Sequence, residues 1–202
     1  MAHAFFATGH HQQTKSRSES KSEIQGSQGI ASSGSGSSAK AAGKGNIFAD
    51  LKKDHEIHRD LLKRMSDKQL GKEDRKKLLE KFRVELTAHA AAEEESLYAA
   101  MLAKPKLRDD ARHSVAEHKE IDDLLNETTK VEADSAEFWE QFEKLKKRYL
   151  HHVDEEEQEM FENAAEGLSK QEEARIAAVF EKRKPQELQA AKSGEHQHDD
   201  RE

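Results

Sequence analysis

The chain has 202 residues, no cysteine and a net charge of −7. The missing cysteines exclude disulfides, iron–sulfur clusters and thiolate metal sites, and the acidic balance argues against a general nucleic-acid surface. With 37% charged and 34% hydrophobic residues, the chain cannot bury a large core along its whole length, and a helical bundle with thin apolar stripes suits it best. No apolar run approaches the ~20 residues of a membrane span. Met1 to Thr8 lack the basic start and the apolar length of a signal peptide. A soluble, cytoplasmic protein without nucleic-acid or membrane partners is expected.

Residues 1–45 are rich in Ser, Gly, Lys and Gln and read as a disordered arm, because they hold too little apolar surface to offset ordering. Helix 1 is predicted from the N-cap candidate Asn46 to about Met65, with the stripe Phe48, Leu51, His55, His58, Leu62 and Met65. Helix 2 follows a loop at Gly71 and runs from about Glu73 to Ala103. Its face carries Leu79, Phe82, Leu86, His89, Glu93, Leu97 and Met101, and Pro105 breaks it. Helix 3 spans about Arg108 to Val131, with Val115, His118, Ile121 and Leu125. Asp134 and Ser135 are cap candidates for helix 4, which runs to about Ala165 along Phe138, Phe142, Leu145, Tyr149, His152, Glu156 and Met160. Ser169 and Glu172 resemble a capping box opening a short fifth helix that ends before Pro185. The predicted architecture is all-α: an up-down-up-down four-helix bundle (46–168), a short helix (169–185) and a polar tail (186–202).

Two helices carry the same device. His89 has Glu93 four residues on, then Leu97 and Tyr98; His152 has Glu156 four residues on, then Met160 and Phe161. Four residues is about one helical turn, so each His and Glu share a face. Both pairs sit in otherwise apolar stripes. Ionised glutamates without partners are costly to bury, and two in one narrow bundle repel each other. A pair of cations removes both penalties, with bridging carboxylates and terminal imidazole nitrogens. The stripes favour His152 over its neighbour His151, which shares a face with Lys144, Lys147 and Arg148. They also favour His118 over His113, which lies with Asp109, Asp110 and Glu117. On helix 1, His55 and His58 both lie on the stripe, and either or both could bind. The Glu-x-x-His motif of ferritin-like di-iron proteins does not occur at His89, His118 or His152, where the residues three before are Leu86, Val115 and Tyr149, and the His-Glu-x-x-His of hydrolytic zinc sites is absent.

At Asp54-His55, His89-x-x-x-Glu93-Glu94 with Leu97-Tyr98, Glu117-His118, and His151-His152 with Glu155-Glu156-Glu157 and Met160-Phe161, the chain resembles the hemerythrin-like, HHE cation-binding family. The resemblance covers roughly 47–165. It implies a four-helix bundle holding two non-haem iron ions (Fe2+/Fe3+) with an oxo or hydroxo bridge, and the ligands His55, His89, Glu93, His118, His152 and Glu156. His58, Asp122 and Tyr149 are additional candidates, as ligands or as supporting groups. Oxygen-carrying members place two histidines one turn apart on helix 3, whereas here the residue four after His118 is Asp122. That departure leans the expected function toward oxygen or redox sensing, iron handling or stress response, with O2, peroxide or nitric oxide as ligand. A metal- and small-ligand-binding protein is expected rather than a dedicated enzyme, so no catalytic residue is assigned. The alternatives are a redox enzyme acting on peroxide or nitric oxide, and a metal-dependent sensory or interaction module.

Overall fold

The computed structural model describes residues 45–194. The expected disordered arm lies outside the described residues except for Gly45, as do the last eight residues of the expected tail. The described part is all helical: α1 (Ile47–Met65), α2 (Lys72–Glu93), α3 (Ala99–Leu102), α4 (Arg108–Lys130), α5 (Ala136–Glu155), α6 (Phe161–Gly167) and α7 (Lys170–Ser193). Two π-helical turns, Glu94–Tyr98 and Glu156–Met160, join α2 to α3 and α5 to α6. The predicted helices 2 and 4 are therefore each one rod with a π turn inside it.

Side chains fix the starts of these helices. Asn46 accepts the Phe48 and Ala49 amides, and Ser135 accepts the Phe138 amide. Asp134 is instead a left-handed residue at φ 70°, a conformation that Asp tolerates better than most, and its carboxylate pairs with the buried Arg75. Ser169 and Glu172 form the expected capping box.

The core is divided. Ile47, Leu51, Leu97, Met101, Ala111, Phe161 and Phe180 belong to one apolar cluster; Leu62, Phe82, Leu86, Ile121, Phe142 and Tyr149 belong to the other. α1 and α4 each pass from the first cluster to the second, whereas α2 and α5 pass back, which is the up-down-up-down alternation. Between the clusters lies a buried polar layer of His55, His89, Glu93, His118, His152 and Glu156.

The fifth helix is a correction. It does not end before Pro185 but continues to Ser193, and Gly194 closes it at φ 81°, the left-handed cap that glycine takes without strain. A proline inside a helix costs about 3 kcal/mol. Tertiary packing offsets it here: Phe180, Glu187 and Ala191 are buried, Arg83 donates to the Ala191 carbonyl at 3.0 Å, and Arg183 and Lys184 bond to Glu95 and Asp54, both at 2.5 Å. The first part of the expected polar tail is thus structural helix.

Candidate metal centre

Each of α1, α2, α4 and α5 delivers one histidine to the layer. The Nε2 atoms of His55 and His89 lie 3.2 Å apart, and the His118 and His152 rings meet edge to face with centroids 4.8 Å apart. The two glutamates span these pairs. Glu93 Oε2 is 3.2 Å from His89 Nε2 on its own rod and 3.9 Å from His118 Nε2 across the bundle. Glu156 Oε1 is 3.5 Å from His152 Nε2 on its own rod, and its Oε2 is 3.4 Å from His55 Nε2 across the bundle.

A second set of carboxylates orients the rings. Asp54 on α1 faces His89 Nδ1 at 3.1 Å. Glu94, at the start of the first π turn, faces His118 Nδ1 at 2.9 Å. Glu117 on α4 faces His152 Nδ1 at 2.8 Å, and Glu157, in the second π turn, faces His55 Nδ1 at 2.8 Å. Each supporting acid is the chain neighbour of a layer residue and serves the next rod, so the supports run round the bundle and close on themselves. An ionised carboxylate only accepts, so each Nδ1 carries a proton and donates it, and the tautomer of the ring that binds a cation then turns its Nε2 lone pair to the layer.

The π turns have a local role. In a π turn the backbone bond reaches five residues rather than four, and such turns recur at functional sites. At the start of each, adjacent acids take different tasks. Glu93 enters the layer while Glu94 supports His118, and Glu156 enters while Glu157 supports His55. The residue five after each layer glutamate also reaches the layer. The Tyr98 hydroxyl donates to Glu156 Oε1, and the Phe161 ring stacks on His55 at 6.1 Å. Ser96 Oγ donates to the Ala92 and Glu93 carbonyls at 2.6 and 3.3 Å, which satisfies backbone acceptors at the first π turn.

The electrostatics are uneven. Burial opposes the ionised form of Glu117, but hydrogen bonds from His152 and Arg148 outweigh it and hold the carboxyl at about 2. Hydrogen bonds from His55 and then Arg59 hold Glu157 at about 2 against its burial. His89 is pushed down by burial, yet the Asp54 and Glu93 carboxylates raise it overall. Glu93 is pushed up by burial, yet His89 lowers it overall. Burial and the Glu93 charge drive Glu156 well above the ordinary carboxylate range, and burial takes His152 down to about 4.

These donors fit a metal. Glu93 Oε1 and Oε2, His118 Nε2 and Glu156 Oε2 are buried without a hydrogen-bond partner, and such orphans in an apolar interior cost about 1–3 kcal/mol each. Four inward imidazole nitrogens and two carboxylates line the chamber with potential metal ligands. His118, His152 and Glu156 also place one donor atom each within 4.8 Å of one another, close enough to share an ion.

All six expected ligands stand in this one layer. His58 is buried on its edge, with Nδ1 2.6 Å from the Tyr149 hydroxyl and its ring 5.2 Å from that of His89. Asp122 is exposed and lines a cleft of about 30 Å³ beside His118; it stays outside the buried layer. His151 and His113 are exposed, as the stripes indicate. Sequence reasoning passed over Asp54, Glu94, Glu117, Glu157 and Tyr98 as site residues. Their signal was present in the doublets Asp54-His55, Glu93-Glu94, Glu117-His118 and Glu156-Glu157. Glu117 was misleading because it shares the solvated face of His113, yet it is buried.

Among solved structures, the chain is similar to a hemerythrin HHE cation-binding domain-containing protein from Mycobacterium kansasii. The identity is 23%, the TM-score is 0.65, and the match covers 74% of this chain and 91% of that one; at this identity the likeness speaks for the fold. No curated protein matches. No helix among the described residues is long and apolar enough to cross a membrane. The Hemerythrin HHE cation binding domain family matches residues 46–164, a span containing the whole polar layer and its four supporting acids. The chain belongs to this family and is a metal-binding protein.

Proposed function

We propose that the layer holds two iron ions, with His55, His89, Glu93, His118, His152 and Glu156 as ligands, and that it binds O2 or a related small oxidant in redox sensing, iron handling or stress response. The observation that carries this reading is the pairing of histidines across the bundle, each pair reached by both glutamates. When bound, the irons supply redox chemistry and an open position for a small ligand. The protein supplies orientation and dryness. The supporting carboxylates hold each ring in the tautomer a cation needs, and the apolar clusters above and below exclude water.

Internal symmetry also supports a small ligand. α1 with the α2 rod corresponds to α4 with the α5 rod: His55 to His118, His89 to His152, Glu93 to Glu156. Under that correspondence His58 and Tyr149 stand where the other half has Ile121 and Leu86. The Ile121 and Leu86 side forms the cleft that reaches His118. Its room, about 30 Å³, is that of one water or diatomic molecule. On the other side, burial keeps Tyr149 protonated and His58 neutral. The Tyr149 hydroxyl then donates to His58 Nδ1, so the His58 proton sits on Nε2, a buried donor without a partner. This favours His58 as a hydrogen-bond donor to a bound oxidant over His58 as a seventh ligand. It also supports a second reading, reduction of peroxide or nitric oxide, which needs a proton source.

Metal analysis tests the proposal. Two irons per chain and the near-ultraviolet absorption of a bridged diferric pair are expected in the wild type and lost in His118→Ala and Glu156→Ala. A metal-free wild type as stable as the iron-treated one overturns it. Anaerobic reduction followed by O2 addition then separates the readings. A reversible band supports binding or sensing, whereas sustained turnover with a reductant supports the enzyme.

A further inference from the structure

The family match ends at residue 164, six residues before α7 begins, yet α7 sends two side chains to the metal layer. The Phe180 ring meets the edge of the His89 ring at 6.2 Å. Lys184 Nζ lies 2.5 Å from Asp54 Oδ2, the same oxygen that faces His89 Nδ1 at 3.1 Å. Both side chains are largely withdrawn from water, at 11% exposure for Lys184 and 16% for Asp54. Lys184 also stands 3.7 Å from Glu85 on α2, so it ties α7 to α1 and α2 together.

The other supporting carboxylates show what is particular here. Arg148 Nη1 holds Glu117 at 2.7 Å, and Arg59 Nη1 holds Glu157 at 2.9 Å. Both arginines belong to the four-helix bundle. Glu94 is half exposed and faces water. Asp54 takes its cation from outside the bundle. A carboxylate that orients a ligand imidazole must itself be held, because its freedom to turn becomes the freedom of the ring. The Lys184 ammonium fixes the oxygen that receives the His89 proton.

We infer that α7 is a clamp on the α1/α2 half of the metal centre, with Lys184 as its positioning residue, acting through Asp54 and His89 on how long an ion stays there. The inference rests on the metal-binding reading proposed above. It assigns a role to a helix outside the matched family region, and it makes the two halves of the centre unequal. His118 and His152 take their support from Glu94, Glu117 and Arg148, none of them on α7. Loosening α7 therefore frees the ion nearer His55 and His89 first.

The test uses the full chain loaded anaerobically with cobalt(II), and follows transfer to a chromogenic chelator together with the cobalt absorption spectrum. Lys184→Met keeps the apolar stem and removes the charge. Lys184→Arg keeps the charge, and Arg148→Met loosens the other half. The expected result for Lys184→Met is about a tenfold faster release of one of the two ions, the low end of what supporting-residue changes do to metal sites, with the other ion at the wild-type rate. Lys184→Arg should return release to within about twofold of wild type, and Arg148→Met should accelerate the other ion. A loss confined to one ion and rescued by Arg is not what general loosening of the fold produces. If Lys184→Met does not fold, Lys184→Gln carries the same comparison. Equal acceleration of both ions without rescue by Arg overturns the inference, as does a Lys184→Met protein that matches wild type. A wild type that takes up no metal overturns the metal-binding reading and this one with it.

Discussion

Replacing Glu156 by Gln should move stability in opposite directions with and without metal. The Glu156 side chain is 1% exposed; Tyr98 serves Oε1, and Oε2 has no hydrogen-bond partner. Burial and the Glu93 charge raise its pKa well above the unfolded value. The folded state therefore holds this proton more tightly than the unfolded one, and the metal-free protein loses stability as pH rises past the ordinary glutamate range. Gln removes that penalty, and its amide can donate toward His55 Nε2, 3.4 Å from the present Oε2. Relief of one buried unsatisfied group gives about 1–2 kcal/mol at pH 7, or roughly 2–8 °C in Tm for a domain of this size. At pH 4 the gain should vanish. With metal the sign reverses. An ion at a thousandfold over its Kd stabilises by about 4 kcal/mol, and a hundredfold weaker site leaves about 1.4 kcal/mol. Thermal melts of both proteins, in chelator and in iron(II) under anaerobic conditions, read all four states. A Glu156→Gln protein that melts lower than wild type in chelator, or gains as much from metal, refutes the reasoning.

Two further outcomes follow from the supporting groups. Glu117 and Glu157 have folded pKa values of about 2, below their unfolded values, so the stability they contribute is present above the ordinary glutamate range and is lost as pH falls toward 2. The acid limb of unfolding should shift to higher pH in Glu117→Gln and Glu157→Gln, as followed by circular dichroism; unchanged acid midpoints would show that these carboxylates are not held by their partners. Tyr98→Phe removes the hydroxyl that donates to Glu156 Oε1 and leaves the buried ring. It should weaken metal binding by about tenfold, as loss of a supporting hydrogen bond does, while changing the metal-free Tm by only a few degrees. Competition titration against a chelator checks this, and an unchanged affinity would count against a role for the hydroxyl.

The sequence determined the frame of this protein because its signals are local. The 3.6-residue stripes fix which face of each helix is buried. Asn46, Ser135 and Ser169 are helix caps readable as such, and the repeated His-to-Glu spacing puts both polar pairs inside apolar stripes. The choice of His152 over His151 needed only the neighbours one turn away. What spacing could not reach was anything depending on a second rod. The π turns were hidden because an α-helical ruler is assumed throughout, and with them the reach of Tyr98 and Phe161, five residues past each layer glutamate. Glu117 reads as a solvated residue until α5 brings His152 Nδ1 to it. Pro185 reads as a stop, since its cost is local, whereas the packing of α7 on α1 and α2 that outweighs it is not. His55 and His58 could not be told apart on one stripe. Tertiary structure separates them, putting His55 Nε2 against His89 and Glu156 and engaging His58 Nδ1 with Tyr149. The sequence by itself thus determined which apolar stripe of each bundle helix is withdrawn from water. Only the tertiary structure decided which residues face one another, because a hydrogen bond or a shared metal depends on distances between helices that no single helix contains.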